Sequence, residues 1–256
     1  MLYNVAEATK TDSVELSCGY FLLLKESLMF KKLFAVSIFL TTCLAFSTSV
    51  QAEGDAEAGK KQAAACAGCH GEDGNSIVPT FPKLAGQHAS YLTKQLLAFK
   101  KGSRNAPMMA PLAQGLNDKD IADLAKFYAS QKTSANPMPT LKAEDHNADN
   151  GKHSDNKNKE AELKALLTFG GELYRNGDLE REVSACIACH GPFAEGNKPA
   201  GFPTLKGQHA DYLIQTLQDF KTGTRTKASD NMMHMIAAKM TEKEIRAVAY
   251  YISVMK

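Results

Sequence analysis

Cys66-Ala67-Gly68-Cys69-His70-Gly71 recurs 120 residues later as Cys186-Ile187-Ala188-Cys189-His190-Gly191. The recurrence extends outward from there. Phe81-Pro82-Lys83-Leu84-Ala85-Gly86-Gln87-His88 returns as Phe202-Pro203-Thr204-Leu205-Lys206-Gly207-Gln208-His209, at an offset of 121. Tyr91-Leu92, Phe99-Lys100, Gly102 and Arg104 return at the same offset as Tyr212-Leu213, Phe220-Lys221, Gly223 and Arg225. Met108-Met109 returns as Met232-Met233, at 124. The offset drifts by a few residues while the order of elements holds, as in a tandem duplication whose loops have changed length.

Each half reads as helices joined by Gly/Pro loops. Ala89 to Lys101 places Leu92, Gln95, Leu96 and Phe99 at helical spacing, and Gly102 is a natural stop. Asn117 with Asp120 has the form of an N-cap, followed by an apolar stripe at Ile121, Leu124, Ala125 and Tyr128. Thr241 with Glu244 is a capping box ahead of Ile245, Val248, Ala249 and Ile252. No run alternates as a strand would. The predicted fold is all-α, with two tandem domains of a few helices each, over 53–131 and 161–256. Between them, residues 132–160 are rich in Asn, Asp, Lys and Ser and almost free of apolar residues after Leu141. That composition predicts a flexible polar linker, in which His146 and His153 are solvated.

The N-terminal region has its own pattern. Met29-Phe30-Lys31-Lys32 is basic, Leu33 to Ser47 is apolar, and Val50-Gln51-Ala52 offers small residues at the two positions a signal peptidase reads. This predicts a signal peptide over 29–52, cut before Glu53, and a periplasmic mature chain. The apolar run is shorter than the roughly 20 residues of a spanning helix. Residues 1–28 carry no pattern and are expected to be a mis-annotated upstream extension, with translation beginning at Met29. Cys43 lacks the small preceding residue of a lipoprotein site. With Cys18 and Cys43 set aside, four of the six cysteines remain, all in the repeated motif. The formal net charge of +2, with no Lys/Arg block in the body of the chain, gives no footing for nucleic acid.

Cys-x-x-Cys-His supplies two thiols for the two vinyl groups on one porphyrin edge, and an imidazole beside the second thiol to meet the iron. A thioredoxin-like pair has no use for the histidine and sits in a βαβ setting. A zinc site usually has its two cysteine pairs closer together in sequence. The expected cofactors are therefore two covalent haem c groups, at Cys66, Cys69 and His70 and at Cys186, Cys189 and His190. His70 and His190 are the expected proximal iron ligands; Pro82 and Pro203 lie in matching loops after each motif and are candidates to present the carbonyl that orients such an imidazole, a role that rests on position and on the resemblance given below. For the sixth position the matched methionine loops supply candidates. Met109 lies eight residues before Asn117, and Met233 eight before Thr241, which favours them over Met108 and Met232. Met235 has no counterpart. His88 and His209 also repeat and are rival ligands, but sit close to the attachment motif and are read as structural. With both axial positions filled, the chain is expected to transfer electrons and to have no catalytic residue. A thioether ligand, and apolar neighbours such as Phe81, Leu84, Phe202 and Leu205, would raise the potential.

The chain resembles the cytochrome c4 family from Glu53 to Lys256, through Gly54-Asp55-Ala56-Glu57-Ala58-Gly59-Lys60, both Cys-x-x-Cys-His-Gly motifs and Phe81-Pro82-Lys83-Leu84-Ala85-Gly86-Gln87. The resemblance implies two class I cytochrome c domains related by a pseudo-twofold, His/Met ligation of both irons, and Tyr91, Tyr212, Arg104 and Arg225 near haem propionates. It also implies a periplasmic carrier, soluble or peripherally membrane-associated, between a quinol–cytochrome c reductase and a haem–copper terminal oxidase. The alternatives are a diheme subunit of a dehydrogenase such as a sulfide-oxidising flavoprotein, or a diheme peroxidase or thiosulfate dehydrogenase. The tract around Asn136 to Glu160 is longer and more polar than the family's usual connection, a departure that bears on how tightly the domains dock.

Overall fold

Asp55 starts the first helix, α1 (Ala56–Gln62): its carboxylate accepts from the Glu57 and Ala58 amides at 2.8 and 3.3 Å. The structure, a computed structural model, describes residues 54–141, 156–225 and 231–256. The expected signal peptide over 29–52, residues 1–28, Cys18, Cys43, His146 and His153 lie outside them. After α1 the first half continues with α2 (Ala64–His70), α3 (Ala89–Lys100), α4 (Met109–Gln114) and α5 (Asp118–Ser130). The second half has α6 (Asn156–Asn176), α7 (Ile187–His190), α8 (Ala210–Lys221), α9 (Met232–Ala237) and α10 (Glu242–Ser253). Among the described residues β pairing is limited to two isolated bridges, Asp178–Val183 and Asn197–Phe202. The fold is all-α in two tandem domains, as the periodicities predict.

The halves are built alike. In the first, α5 packs against α1 and α3, and in the second α10 packs against α6 and α8. Both final helices begin with a reciprocal capping box, Asn117 with Asp120 and Thr241 with Glu244. Leu124 and Tyr128 of α5 and Ile245, Val248 and Ile252 of α10 then enter the two apolar cores, with Leu92 and Leu213 from α3 and α8. The cores are anchored at two matched crossings. A Cβ on Gly59 of α1 would stand 2.1 Å from the Asp123 carbonyl oxygen, and one on Gly170 of α6 2.0 Å from that of Ala247. Helix backbones therefore touch where only glycine fits.

That contact fixes the sign of a substitution. On helix propensity alone, Gly→Ala stabilises by about 1 kcal/mol. At Gly170 the overlap forces α6 off α10, and Gly170→Ala is expected to destabilise by about 3 kcal/mol in guanidinium unfolding. Gly68→Ala is the control. It copies Ala188 of the second motif and meets nothing within 4 Å, so it should be neutral or mildly stabilising.

The connecting tract differs from the expected tether over its described parts. Thr133 Oγ1 donates to the Ala85 carbonyl (2.6 Å), the Ser134 amide to Asn75 Oδ1 (2.8 Å), and Lys83 Nζ to the Ser134 carbonyl (2.7 Å). Asn136 Nδ2 then meets the carbonyls of Gly207, Gln208 and Ser253 in the second half, at 2.8, 3.0 and 3.0 Å. Two polar side chains of the tract, Thr133 and Asn136, thus satisfy loop carbonyls, one on each half. At the other end, Asn156 to Glu160 belong to α6 rather than to a linker.

Both halves lie within one unit, Ala52–Lys256, and face each other through reciprocal contacts. The Gln87 side chain bonds the Thr204 backbone and the Gln208 side chain the Lys83 backbone. His209 Nε2 lies 2.8 Å from the Ser76 carbonyl, and Arg104 and Arg225 reach Tyr212 and Tyr91.

Candidate haem sites

Helix α2 carries Cys66, Cys69 and His70 at i, i+3 and i+4, so the three side chains share one face. The helix stops at His70 because Gly71 takes φ 81°, in the left-handed region. The second motif stops the same way, on Gly191 at φ 78°. The four motif cysteines are half-buried and pair in no disulfide, so each sulfur is left for the porphyrin edge. Burial pushes the Cys66 thiol up from its ordinary range, and that of Cys186 up to about 11.

The two imidazoles are held nearly identically. His70 Nδ1 lies 2.8 Å from the Pro82 carbonyl oxygen and His190 Nδ1 3.0 Å from that of Pro203. A carbonyl only accepts, so Nδ1 carries the proton and Nε2 keeps a free lone pair. Burial also holds both histidines below the usual imidazole range, which keeps them neutral. Phe81 and Phe202 lie against them, each with ring centroids 6.4 Å apart. An oriented, neutral imidazole beside two thiols on one helix face fits the attachment edge and proximal ligand of a covalent haem.

The methionine loops are placed after α3 and α8 in both halves. Lys100 Nζ donates to the Leu116 carbonyl (2.5 Å) and Lys221 Nζ to that of Met240 (2.7 Å), tying each loop back to the preceding helix. Within each pair the first methionine is the more open: Met108 is 62% and Met232 44% exposed, while Met109 and Met233 are half-buried. Met235 is 63% exposed. His209 is spent on the Ser76 carbonyl of the other half, and its counterpart His88 lies against the Glu195 backbone of the other half.

Two arginines occupy matched positions. Arg104 stacks on Phe99 at 4.5 Å and Arg225 on Phe220 at 4.6 Å. Arg104 donates to Gln95 Oε1 (2.6 Å) and to the Tyr212 hydroxyl (3.3 Å), Arg225 to the Tyr91 hydroxyl (2.9 Å). Burial alone would raise the Tyr212 phenol, but Arg225 and Arg104 beside it outweigh that and lower it. One guanidinium per half, in a partly dry setting, suits the carboxylates of a haem.

Two tyrosines lie at the motifs: Tyr128, legible in the sequence only as a member of an apolar stripe, and Tyr174, to which no pattern points. Tyr128 of α5 lies beside Cys66 with its buried hydroxyl toward that sulfur, and Tyr174 of α6 lies near Cys186 and donates to the Gly191 carbonyl at 2.6 Å. Burial raises both phenols. They serve corresponding motifs from different helices, so no constant sequence offset relates them. The corresponding stripe position on α10 is Ile252.

The profile of the cytochrome c family matches residues 56–132 and 170–256, one match per half. Cytochrome c4 of Azotobacter vinelandii is 41% identical over 227 residues, covering 85% of this chain and 96% of that protein. This chain belongs to the cytochrome c4 family. It carries two covalent haem c groups, one at Cys66/Cys69 and one at Cys186/Cys189. The crystal structure of reduced recombinant cytochrome c4 from Pseudomonas stutzeri superposes with a TM-score of 0.68 at 38% identity, over 79% of this chain and 100% of that one. A thiosulfate dehydrogenase electron acceptor of Stutzerimonas stutzeri is 35% identical over 190 residues, 74% of this chain and 78% of that protein. Like the cytochromes c4 it resembles, the protein is a diheme electron carrier. Among the described residues no helix is long and apolar enough to cross a membrane.

Proposed function

We propose that His70 with Met109 holds one haem iron and His190 with Met233 the other, in a periplasmic carrier between a quinol-oxidising complex and a haem–copper terminal oxidase. The observation that carries this reading is the proximal unit present twice, with Nδ1 of a buried imidazole committed to a proline carbonyl in each half. When bound, each haem takes up and returns one electron. The chain's residues do the remainder. Pro82 and Pro203 orient the imidazoles and raise their basicity. The less exposed methionine of each pair is the better sixth ligand, since a thioether in water has nothing to hold it over a ring. With two protein ligands at each iron there is no position open to a substrate, so the protein passes electrons on and performs no turnover of its own.

Export is checked by N-terminal sequencing of the protein recovered from periplasmic extract: the expected first residue is Glu53, and a retained Met29 would contradict cleavage.

The relative named as a thiosulfate dehydrogenase electron acceptor favours a second donor, a dehydrogenase of the same compartment. Stopped-flow mixing separates the two. Oxidised protein should be reduced by the quinol-oxidising complex, and reduced protein oxidised by terminal oxidase, at rates that fall as salt rises if charge steers the encounter. Rapid reduction by thiosulfate dehydrogenase, with none by the quinol-oxidising complex, would establish the second reading.

A further inference from the structure

The peptide group joining Pro82 to Lys83 is hydrogen-bonded at both ends. Its carbonyl accepts from His70 Nδ1 at 2.8 Å, and its N–H donates to Oε1 of Gln208, in the other domain, at 2.8 Å. The peptide joining Pro203 to Thr204 repeats this with His190 at 3.0 Å and Gln87 Oε1 at 3.1 Å. Each glutamine closes the clamp with Nε2, on the Lys83 carbonyl (2.9 Å) or the Thr204 carbonyl (2.9 Å). Each Oε1 also accepts from the next backbone amide of its own chain segment, His209 or His88, at 3.0 Å. Both glutamines are buried, 8% and 7% exposed. Two N–H donors on one side and a carbonyl on the other fix which amide atom is oxygen.

We propose that Gln208 and Gln87 are positioning residues that act across the domain interface, each tuning the axial histidine of the opposite haem through one shared peptide group. This rests on His70 and His190 being the proximal ligands. A peptide whose N–H is donated is more polarised, and each further bond in a chain strengthens the others by about 10–30%. The carbonyl that receives Nδ1–H is thus a stronger acceptor while the other domain is docked. A stronger acceptor makes the imidazole more basic, which favours the oxidised iron and lowers the potential. Each haem therefore senses the presence of the partner domain. The bland alternative is that the glutamines only hold the domains together. Docking alone does not require both side chains to land on the peptide group that also binds the axial histidine.

The two roles differ in which haem responds. In the full holo-protein, Gln208→Leu should raise the potential of the haem at Cys66/Cys69, shifting its one-electron equilibrium about three- to tenfold, tenfold being 59 mV. The haem at Cys186/Cys189, in the domain that carries the substitution, should move less than twofold. Potentials are resolved haem by haem in an NMR-monitored redox titration, with the His70 Nδ1–H resonance of the reduced state followed alongside. That resonance should move upfield as its bond weakens. Gln87→Leu should give the mirror image at the haem of Cys186/Cys189 and at His190. If a variant moves both potentials together, moves that of its own domain alone, or moves neither, the glutamines only dock. The unsubstituted protein supplies a second check: the Lys83 and Thr204 amides should exchange slowly with solvent, and exchange of both at loop rates would overturn the proposal. Failure of the ligand assignment would show separately, as His70 ring signals with no paramagnetic shift in the oxidised protein, whatever the glutamine variants do.

Discussion

Cys186→Ser with Cys189→Ser is expected to leave a protein that retains one covalent haem after acid–acetone extraction, its denatured mass lower than the parent's by one haem. The thioether bonds come from those two sulfurs alone, so His190 by itself would hold a group that extracts. The loss should stay local. The first half has its own core around Leu92, Leu124 and Tyr128, while Cys186 packs against a separate cluster built on Tyr174, Leu213 and Val248. The spectrum of the remaining haem should therefore keep its shape. Cys66→Ser with Cys69→Ser should mirror the result. Retention of two covalent haems in either variant would show attachment elsewhere and would remove the basis for pairing each motif with its own half.

Met109→Ala and Met233→Ala are each expected to open one iron. Carbon monoxide, which hardly binds when a strong-field thioether fills the sixth site, should bind one haem per reduced variant at stoichiometric levels. The weak long-wavelength band that reports methionine–iron ligation should fall by half. Met108→Ala and Met232→Ala should change neither, because those side chains are the more exposed of each pair. An inert Met109→Ala beside a carbon monoxide-binding Met108→Ala would move the ligand by one residue and reverse the inference from exposure.

What could be read from the sequence was what chemistry compresses into a few neighbouring residues. The two motifs, the proline loops and the caps at Asn117 and Thr241 are local patterns, and each stands in the structure where its spacing put it. The matched Gln87 and Gln208 were visible as a repeat, but their partners lie 117 and 125 residues away in sequence, and no periodicity points there. The place of Tyr128, legible only as part of an apolar stripe, and of Tyr174 beside the motifs was hidden for another reason: the two halves fill one place from different helices, so the repeat is broken in sequence while it holds in space. In the described part of the tract after Ser130, at residues 133–136, polar side chains do more than meet water. Thr133 and Asn136 are polar because their side chains bond loop backbone, one on each half. Helix α6 escaped because its first turns, Asn156 to Glu160, carry no apolar stripe, and its packing rests on Gly170, a residue that usually argues against a helix.

The most direct test of a diheme carrier with two His/Met irons is a spectroelectrochemical titration of the purified protein, with carbon monoxide added at the reduced end. The expected result is two one-electron steps of equal absorbance, a methionine–iron band for both oxidised haems, and no carbon monoxide complex. A single step of one electron per chain, or carbon monoxide binding to either haem of the unsubstituted protein, would contradict it.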